Sequence, residues 1–503
     1  MARLDVSSRS TSATQQVKHR DYVYLGLTQS LCPDCRDLVP AKIICRDNRV
    51  YFRKNCPTHG VREDFVCSDV ARYDMLETSL PAKLPRQVFV EAEHGCPFDC
   101  GLCEEHEQHT CVAVVEITDG CNLTCPMCYA GSAPGKRHKS LEQIKAAVDR
   151  LVAAEGNAEV IQFSGGEPTL HPYLIEGIEY ALTQPIDYVM LNTNGIRLAK
   201  DDELLEKLGG FSDRLEIYFQ MDSLDDQQVE QLRGEAGLLP QKLRALEKIE
   251  AVGLNVTLVA TLQGGVNDSA PADLLDFATD KPFITGLSFQ PATYSGRHVL
   301  PSDLENRITF PDVVDQLVMD DRNDFGQQDF MPLPCAHPNC HWLGLAIRSG
   351  GRLLPMNRFV DPAENRDLLA NGLSFTREKT RLAAAKLLQR LACGPTCGCN
   401  SGGGPAESVG SLPVLDGVDE PADHDFQKVL EFLENAVDKR VGARDVLRIT
   451  ITSFLDAYNF DVRRVMKCCT HHVLPSGHII PFCAYNVLYR DGKVPLPKLD
   501  DVL

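Results

Sequence analysis

The chain has 503 residues and a formal net charge of −19. This length predicts two or three folding units, and an acidic chain without a long basic block argues against a nucleic-acid partner. No apolar run is long enough to span a membrane, and the first residues lack the apolar core of a secretory signal, so we expect a cytoplasmic protein without a transmembrane segment. Its 20 cysteines fall in short clusters, which indicates metal ligands rather than disulfides.

The chain begins with a polar stretch, residues 1–20, which we expect to be a mobile tail. Residues 21–85 then predict a small metal domain, in which two cysteine turns face each other across a hairpin. The spacing suits tetrahedral zinc or a single rubredoxin-like iron, which either staples the domain or relays electrons. The favoured ligands are Cys32, Cys35, Cys56 and His59. Cys45 or Cys67 could replace His59.

A second cysteine segment covers residues 86–111. It contains a C-x3-C-x2-C motif followed by one further cysteine, which together give four thiolates for a closed auxiliary [4Fe–4S] cluster. The predicted ligands are Cys96, Cys100, Cys103 and Cys111. A second open cluster is less favoured, because no aromatic residue follows Cys103 and no barrel-like strand precedes Cys96.

Strands and amphipathic helices alternate from residue 112 to about 330. This pattern predicts a parallel sheet covered by helices, in the form of an open, partial (β/α)6 barrel of the TIM type. The predicted strands are 112–118, 158–163, 187–192, 214–220, 255–262 and 284–290. In such barrels the loops at the carboxyl ends of the strands carry the chemistry.

The loop after the first of these strands carries a second C-x3-C-x2-C motif, Cys121-Asn-Leu-Thr-Cys125-Pro-Met-Cys128. Three thiolates hold three irons of a [4Fe–4S] cubane and leave the fourth iron open to another ligand. A zinc knuckle is the alternative, but zinc sites favour paired C-x2-C units and need a fourth ligand.

This motif resembles that of the radical S-adenosylmethionine (SAM) superfamily. In that superfamily SAM binds the open iron and is cleaved to a 5′-deoxyadenosyl radical, which abstracts a hydrogen atom from an unactivated carbon. The next strand ends in Gly165-Gly166-Glu167-Pro168, which matches the superfamily's GGEP motif. The resemblance implies that the glycines approach SAM, that Glu167 accepts its ammonium group and that Tyr129 lies near its adenine.

Polar residues also follow the later strands of the predicted barrel. Asn192, Asn194, Gln220 and Asp222 could form a ribose-binding rim, although residues at these positions are equally typical of helix caps and turns. Arg297, after the sixth strand, could face the SAM carboxylate or a substrate anion, although an arginine is more often at the surface.

Cysteines return in residues 331–503, which predict an auxiliary Fe–S region. Residues 400–425 are rich in Gly, Pro and Asp and predict a linker, followed by a helix from Phe426 to Val437. The set Cys393, Cys397 and Cys399 could bind a metal or could be free thiols.

The order of these motifs resembles that of the archaeal tetraether lipid synthase group, also labelled dihydro-hydroxymethylpterin methylase. The resemblance implies a second auxiliary cluster held by residues from separate segments, with one of the adjacent Cys468 and Cys469 as a ligand. The implied ligands are Cys335, Cys340, Cys469 and Cys483. The region of 393–399 and the insertion of 400–425 do not map onto this group.

Three functions follow as hypotheses. The first is C–C bond formation on lipid alkyl chains, which requires a long apolar cavity between the barrel mouth, near Tyr129 and Asp222, and the segment carrying Cys335 and Cys483. The second is radical methylation of a pterin-like molecule in a compact polar pocket. The third is a non-enzymatic electron carrier. The enzymatic hypotheses imply an electron donor such as a flavodoxin or ferredoxin, and any membrane contact should be transient and local.

Overall fold

The computed structural model describes residues 20–297, 304–319, 322–361, 364–369, 377–393 and 421–499. The described chain begins with a four-stranded antiparallel ribbon, ordered β1-β2-β3-β4. Its strands are β1 (Val23–Leu31), β2 (Leu38–Arg46), β3 (Arg49–Cys56) and β4 (Gly60–Cys67). Asp47 and Asn48 form the tight turn between β2 and β3, and both have positive φ, which asparagine and aspartate tolerate better than most residues.

The predicted partial barrel is confirmed. Six parallel strands lie side by side in sequence order, each followed by a connection that crosses the sheet. They are β5 (Val112–Thr118), β6 (Ala158–Gly165), β7 (Ile186–Thr193), β8 (Leu215–Gln220), β9 (Asn255–Leu262) and β10 (Ile284–Pro291). Because the strands are parallel, their carboxyl ends form one edge, which is the mouth of the barrel.

Helices cover the outside of these strands. They are α1 (Leu141–Glu155), α2 (Leu174–Thr183), α3 (Asp202–Gly209), α4 (Asp226–Arg233), α5 (Leu238–Ala251), α6 (Ala270–Thr279) and α7 (Phe310–Val318). Helix α1 shows why they form: Ser140 caps its first turn by accepting a hydrogen bond from the Gln143 backbone N–H at 3.3 Å, and Ile144, Val148 and Leu151 are buried on one face.

The carboxyl-terminal region extends the barrel sheet, although the βα pattern was expected to fade after Met331. Strand β14 pairs in parallel with β10, and β15 pairs in parallel with β5, within one sheet of twelve strands. The added strands are β11 (Phe330–Pro332), β12 (His341–Ser349), β13 (Arg352–Pro355), β14 (Val446–Thr452), β15 (Thr470–Val473) and β16 (Ile479–Pro481). An open six-stranded sheet has two edges with unpaired backbone groups, and these distant strands satisfy them.

The remaining helices are α8 (Arg366–Leu369), α9 (Arg377–Cys393), α10 (Pro421–Val437), α11 (Val462–Met466) and α12 (Phe482–Ala484). Helix α10 begins inside the segment expected to be a linker up to residue 425; residues 1–19 and 400–420 lie outside the described ranges. Helices α9 and α10 pack together against β12, through Leu387, Leu433 and Ile347, at the end of the barrel opposite its mouth. Within the described residues, no helix combines the length and the apolar character needed to cross a bilayer.

Candidate active site and metal centres

A cavity of about 440 Å³ follows the barrel interior. At the mouth it is lined by the core cysteine loop, which we define as residues 121–128, and by Tyr129. Its lower end lies between α9, α10 and β12, where Leu345, Leu387 and Leu433 line it. The cavity therefore connects the cysteines with an apolar chamber, the lower chamber, at the opposite end of the barrel.

The core cysteine loop follows β5 and is held by backbone hydrogen bonds. The Cys121 N–H donates to the carbonyl of Ala133 at 3.2 Å, and the Cys128 N–H donates to the carbonyl of Cys125 at 3.3 Å. All three thiols line the cavity. Three thiols on one short loop, all facing the same cavity, suit a cluster with one iron left open to a further ligand.

Gly165 and Gly166 allow the end of β6 to contact the segment that leads into the core cysteine loop. A Cβ atom on Gly165 would lie 2.1 Å from the Thr118 carbonyl oxygen, and one on Gly166 would lie 2.1 Å from that of Gly120. Gly165 also has a φ of 120°, which only glycine adopts readily. Both glycines line the cavity, so the backbone of this motif is available to a ligand.

The carboxylate of Glu167, which the motif predicts to accept the ammonium group of SAM, is already held by protein donors. Its carboxylate accepts hydrogen bonds from the Thr169 hydroxyl at 2.6 Å, the Thr193 hydroxyl at 2.7 Å and the Asn194 backbone N–H at 2.8 Å. The residue is 1% exposed and does not line the cavity. The carboxylate therefore joins the ends of β6 and β7, and a ligand's ammonium group would meet the backbone of the two glycines instead. Pro168 lies behind it, at the start of a short 3₁₀ turn.

Three of the four residues predicted for a ribose-binding rim line the cavity. Asn192, Asn194 and Gln220 line the cavity, whereas Asp222 is fully buried and does not. Asp222 instead accepts hydrogen bonds from the Arg233 guanidinium, one of them 2.6 Å long, and Arg233 lines the cavity. A ligand would therefore meet the arginine and not the carboxylate.

Arg233 and Lys242 are residues that the sequence analysis missed. The Lys242 ammonium donates to the carbonyls of Asn194 at 3.0 Å and Gln220 at 2.7 Å, so it links two rim loops from below. Burial lowers the pKa of Lys242 to about 8. Both residues lie on helices and not in the loops at the strand ends, and no local pattern marks them.

Arg297 lies against the core cysteine loop. Its guanidinium donates to the carbonyls of Cys125 at 3.2 Å and Ser132 at 2.7 Å, while its buried Nη2 has no partner and the residue lines the cavity. It thus holds the loop and has one donor left for an anionic group. Tyr129, the residue after this loop, also lines the cavity and packs edge-on against Phe482 of α12, with ring centroids 5.4 Å apart.

The ribbon carries a separate metal site. The ligand atoms of four residues lie within 4.8 Å of one another, and these residues are Cys32, Cys35, Cys56 and His59. Backbone N–H groups of His59 and Thr58 lower the pKa of Cys56 to about 6, which favours the thiolate that a metal binds. Cys45 and Cys67 are not members of this group, so His59 is the fourth residue of the site.

The four thiols predicted for the first auxiliary cluster do not come together. Cys96, Cys100 and Cys103 line one small pocket with Glu105 and His106. Cys111 lies elsewhere: it precedes β5, its N–H donates to the Cys469 carbonyl at 2.9 Å, and its thiol contacts those of Cys335 and Cys469. The expected set of four is corrected to a group of three, because the pairing of β5 with β15 draws Cys111 towards Cys469.

Cys335 and Cys469, from the second predicted cluster, thus share a buried group with Cys111. Contact with Cys335 and Cys469 raises the pKa of Cys111, whereas contact with Cys111 lowers that of Cys469, so the buried sulfurs share protons unequally. The Cys468 thiol instead donates to the Thr470 carbonyl at 3.1 Å.

The other two predicted ligands face charged or polar partners. The Cys340 sulfur accepts from the Arg464 guanidinium, and the Cys483 sulfur accepts from the Leu455 backbone N–H, each at 3.2 Å. Cys483 also lines the main cavity. Cys393 ends α9, and Cys397 and Cys399 lie outside the described residues.

Comparison with known proteins agrees with this geometry. Residues 115–278 match the model of the radical SAM superfamily, and residues 24–68 match that of the HMPTM N-terminal zinc ribbon domain. The barrel with its three-cysteine loop and GGEP turn is a radical SAM enzyme, which uses a [4Fe–4S] cluster and SAM and carries a further metal site in the ribbon.

The chain is 31% identical, over 92% of its length and 94% of the relative's, to the 7,8-dihydro-6-hydroxymethylpterin dimethyltransferase of Methanocaldococcus jannaschii. The chain belongs to the family of that protein. GTP 3′,8-cyclase of Mannheimia succiniciproducens is 29% identical over 33% of this chain and 50% of its own. The solved structure of Streptococcus suis SuiB bound to S-adenosylmethionine is similar with a TM-score of 0.31 and 15% identity, over 39% of this chain and 41% of that one.

Proposed function

We propose that this radical SAM enzyme cleaves two SAM molecules with two electrons, abstracts one hydrogen atom from each of two lipid alkyl chains, and so allows their two carbons to join in a C–C bond. The observation that carries the proposal is the continuous cavity from the core cysteine loop to the lower chamber. The exposed residue Ala443 lines the lower end as well, so the cavity reaches the surface there. A chain that enters at this end could place its tip beside the cysteines.

The proposed roles of the residues follow from their places. Cys121, Cys125 and Cys128 would hold the cluster, which, when bound, supplies one electron for the cleavage of SAM. The backbone of Gly165 and Gly166, with Asn192, Gln220 and Arg233, would hold SAM in the mouth. The buried walls exclude water, which protects a radical from side reactions. The group of Cys111, Cys335 and Cys469 and the group of Cys96, Cys100 and Cys103 would each hold an auxiliary cluster.

The described wall of the cavity offers no free carboxylate to a polar substrate. Within the described part of the wall, Glu216 is the only carboxylate. It already accepts hydrogen bonds from Arg448 at 2.9 Å and Thr285 at 3.1 Å, and from Thr257. A pterin presents adjacent N–H donors that a free carboxylate would match, and here that carboxylate is occupied.

A pterin methyltransferase is the second candidate, and the name of the Methanocaldococcus jannaschii relative favours it. Amide side chains in the wall, such as Gln162, could bind a pterin in place of a carboxylate. Such a substrate would occupy the upper part of the cavity and leave the lower chamber unused.

The test compares both substrates with the anaerobically reconstituted enzyme. SAM and dithionite are supplied with either a dialkyl glycerol lipid or 7,8-dihydro-6-hydroxymethylpterin, and mass spectrometry follows 5′-deoxyadenosine and the altered substrate. The variant Ala383→Leu narrows the lower chamber, whereas Ala385→Leu, on the same helix, changes a residue that does not line it.

We expect a joined lipid product that Ala383→Leu suppresses several-fold and Ala385→Leu does not. 5′-Deoxyadenosine formed without substrate should be the same in both variants. Methylated pterin from both variants, with no lipid product from either, would contradict the proposal and favour the methyltransferase.

A further inference from the structure

An exposed basic segment lies beside the core cysteine loop. Lys136-Arg137-His138-Lys139, which we call the basic loop, contains the only four consecutive basic residues in the sequence. The side chains of residues 136–138 are exposed, and that of Lys139 is 32% exposed. This loop carries concentrated positive charge on a chain whose formal net charge is −19.

The backbone attaches the basic loop to the segment that carries the cysteines. The Asp119 N–H donates to the Arg137 carbonyl at 2.9 Å, and the Lys139 N–H donates to the Ile117 carbonyl at 2.9 Å. Ala133, in the connection between the two loops, accepts from the Cys121 N–H at 3.2 Å. The positive charge is therefore fixed a few residues from the site of the cluster.

The charges of the basic loop are only partly neutralised. Lys139 lies 4.0 Å from Asp119, which is 46% exposed, a distance at which an exposed ion pair contributes little. The Lys136 ammonium donates to the Gly131 carbonyl, a neutral group, at 2.6 Å. The Arg137 guanidinium has no carboxylate within 4 Å among the described residues. Among the described residues, Asp119 is thus the only carboxylate within 4 Å of these three permanent cations.

Reductive cleavage of SAM explains a use for this surface. Each SAM cleaved requires one electron, which passes from a reduced carrier to the cluster and then to SAM. The C5′–S bond of SAM then breaks and gives methionine and the 5′-deoxyadenosyl radical. Soluble flavodoxins and ferredoxins are acidic, so an acidic enzyme repels them except where its own charge is locally positive.

We infer that the basic loop is the docking surface for an acidic one-electron carrier protein of the flavodoxin class. The complementary charge would steer the carrier to the part of the surface nearest the core cysteines. The inference rests on the radical cleavage of SAM and does not depend on whether the substrate is a lipid or a pterin.

The test reverses the charge of the basic loop with Arg137→Glu/Lys139→Glu. A matched control, Lys42→Glu/Arg440→Glu, makes the same change at exposed residues of the ribbon and of the lower end of the barrel. Binding of oxidised flavodoxin is titrated by calorimetry at low and high ionic strength. Formation of 5′-deoxyadenosine without substrate is then followed with reduced flavodoxin and, separately, with dithionite.

We expect the basic-loop variant to bind flavodoxin roughly tenfold or more weakly, since electrostatic steering contributes on the order of 10 to 1,000-fold to association. The flavodoxin-driven rate should fall in parallel, whereas the dithionite-driven rate and the control variant should match wild type. High salt should weaken binding to wild type and reduce the difference.

Wild-type binding by the basic-loop variant, or equal weakening by the control, would overturn the inference. If the charge reversal prevents reconstitution, the neutral variant Arg137→Gln/Lys139→Gln is used and only its flavodoxin binding is measured. Binding equal to that of wild type would again overturn the inference. Failure of the lipid proposal would leave all these readouts unchanged, because none of them uses a substrate.

Discussion

Replacing Glu167 with alanine separates two roles for the carboxylate of the GGEP turn. If Glu167 contacts SAM directly, the variant should lose SAM affinity without losing stability. The structure instead predicts a loss of stability, because the carboxylate is buried and accepts hydrogen bonds from protein donors. We expect Glu167→Ala to destabilise the barrel first and to weaken SAM binding as a consequence.

The magnitude follows from the groups that would be left without a partner. The hydroxyls of Thr169 and Thr193 can rotate towards other acceptors, but the backbone N–H groups of Thr169 and Asn194 cannot. Each orphaned buried donor costs about 1–3 kcal/mol, so the loss of a partner for both should lower the unfolding free energy by about 2–6 kcal/mol. Glu167→Gln should lose less, since its remaining carbonyl oxygen still accepts.

The assay is anaerobic denaturant unfolding followed by circular dichroism, together with SAM titration of the reconstituted protein. Glu179→Ala, on the exposed face of α2, is the matched control and should resemble wild type in both measurements. A Glu167→Ala protein with wild-type stability and a large loss of SAM affinity would refute this reasoning. It would show that the carboxylate contacts SAM directly.

Three further predictions concern the metal sites and the ribbon. Alanine at all three core cysteines should remove about four irons per chain and abolish 5′-deoxyadenosine formation, and unchanged SAM cleavage would refute that assignment. Cys111→Ala should perturb the same iron signal as Cys335→Ala and spare the one lost with Cys103→Ala; perturbation of the Cys103-dependent signal would restore the original grouping. Burial lowers the pKa of Lys54 from 10.5 to about 8. Between pH 8 and pH 10.5, therefore, Lys54 is protonated in the unfolded chain and largely deprotonated in the folded chain. The unfolding free energy of wild type should therefore rise relative to that of Lys54→Met as pH increases from 8 towards 10.5, and a constant difference would contradict the shifted pKa.

Much of the radical SAM assignment is local in sequence. The C-x3-C-x2-C spacing places three thiols on one short loop, and the alternation of apolar strands with amphipathic helices puts this loop and the GGEP turn at neighbouring strand ends. The six predicted strands match β5–β10 to within two residues. Neighbouring parallel strands bring their carboxyl ends together whatever the rest of the chain does, so sequence order alone located the mouth.

Other features depend on which distant segments meet. The spacing of Cys111 from Cys103 pointed to one cluster, but the pairing of β5 with β15 carries Cys111 to Cys335 and Cys469. Glu167 and Asp222 follow strand ends, where a ligand-binding carboxylate is expected. In the structure both carboxylates accept hydrogen bonds from protein groups.

The sequence by itself determined the chemistry of this protein, because that chemistry resides in short motifs whose spacing is fixed by a single loop or strand end. Only the tertiary structure decided which cysteines meet, which carboxylates remain free, and that the cavity continues to the lower chamber between α9, α10 and β12. Those outcomes depend on strand pairing and hydrogen-bond partners drawn from segments hundreds of residues apart. No local pattern encodes such partners, because any buried donor can satisfy a given acceptor and the fold alone determines which donor comes within reach.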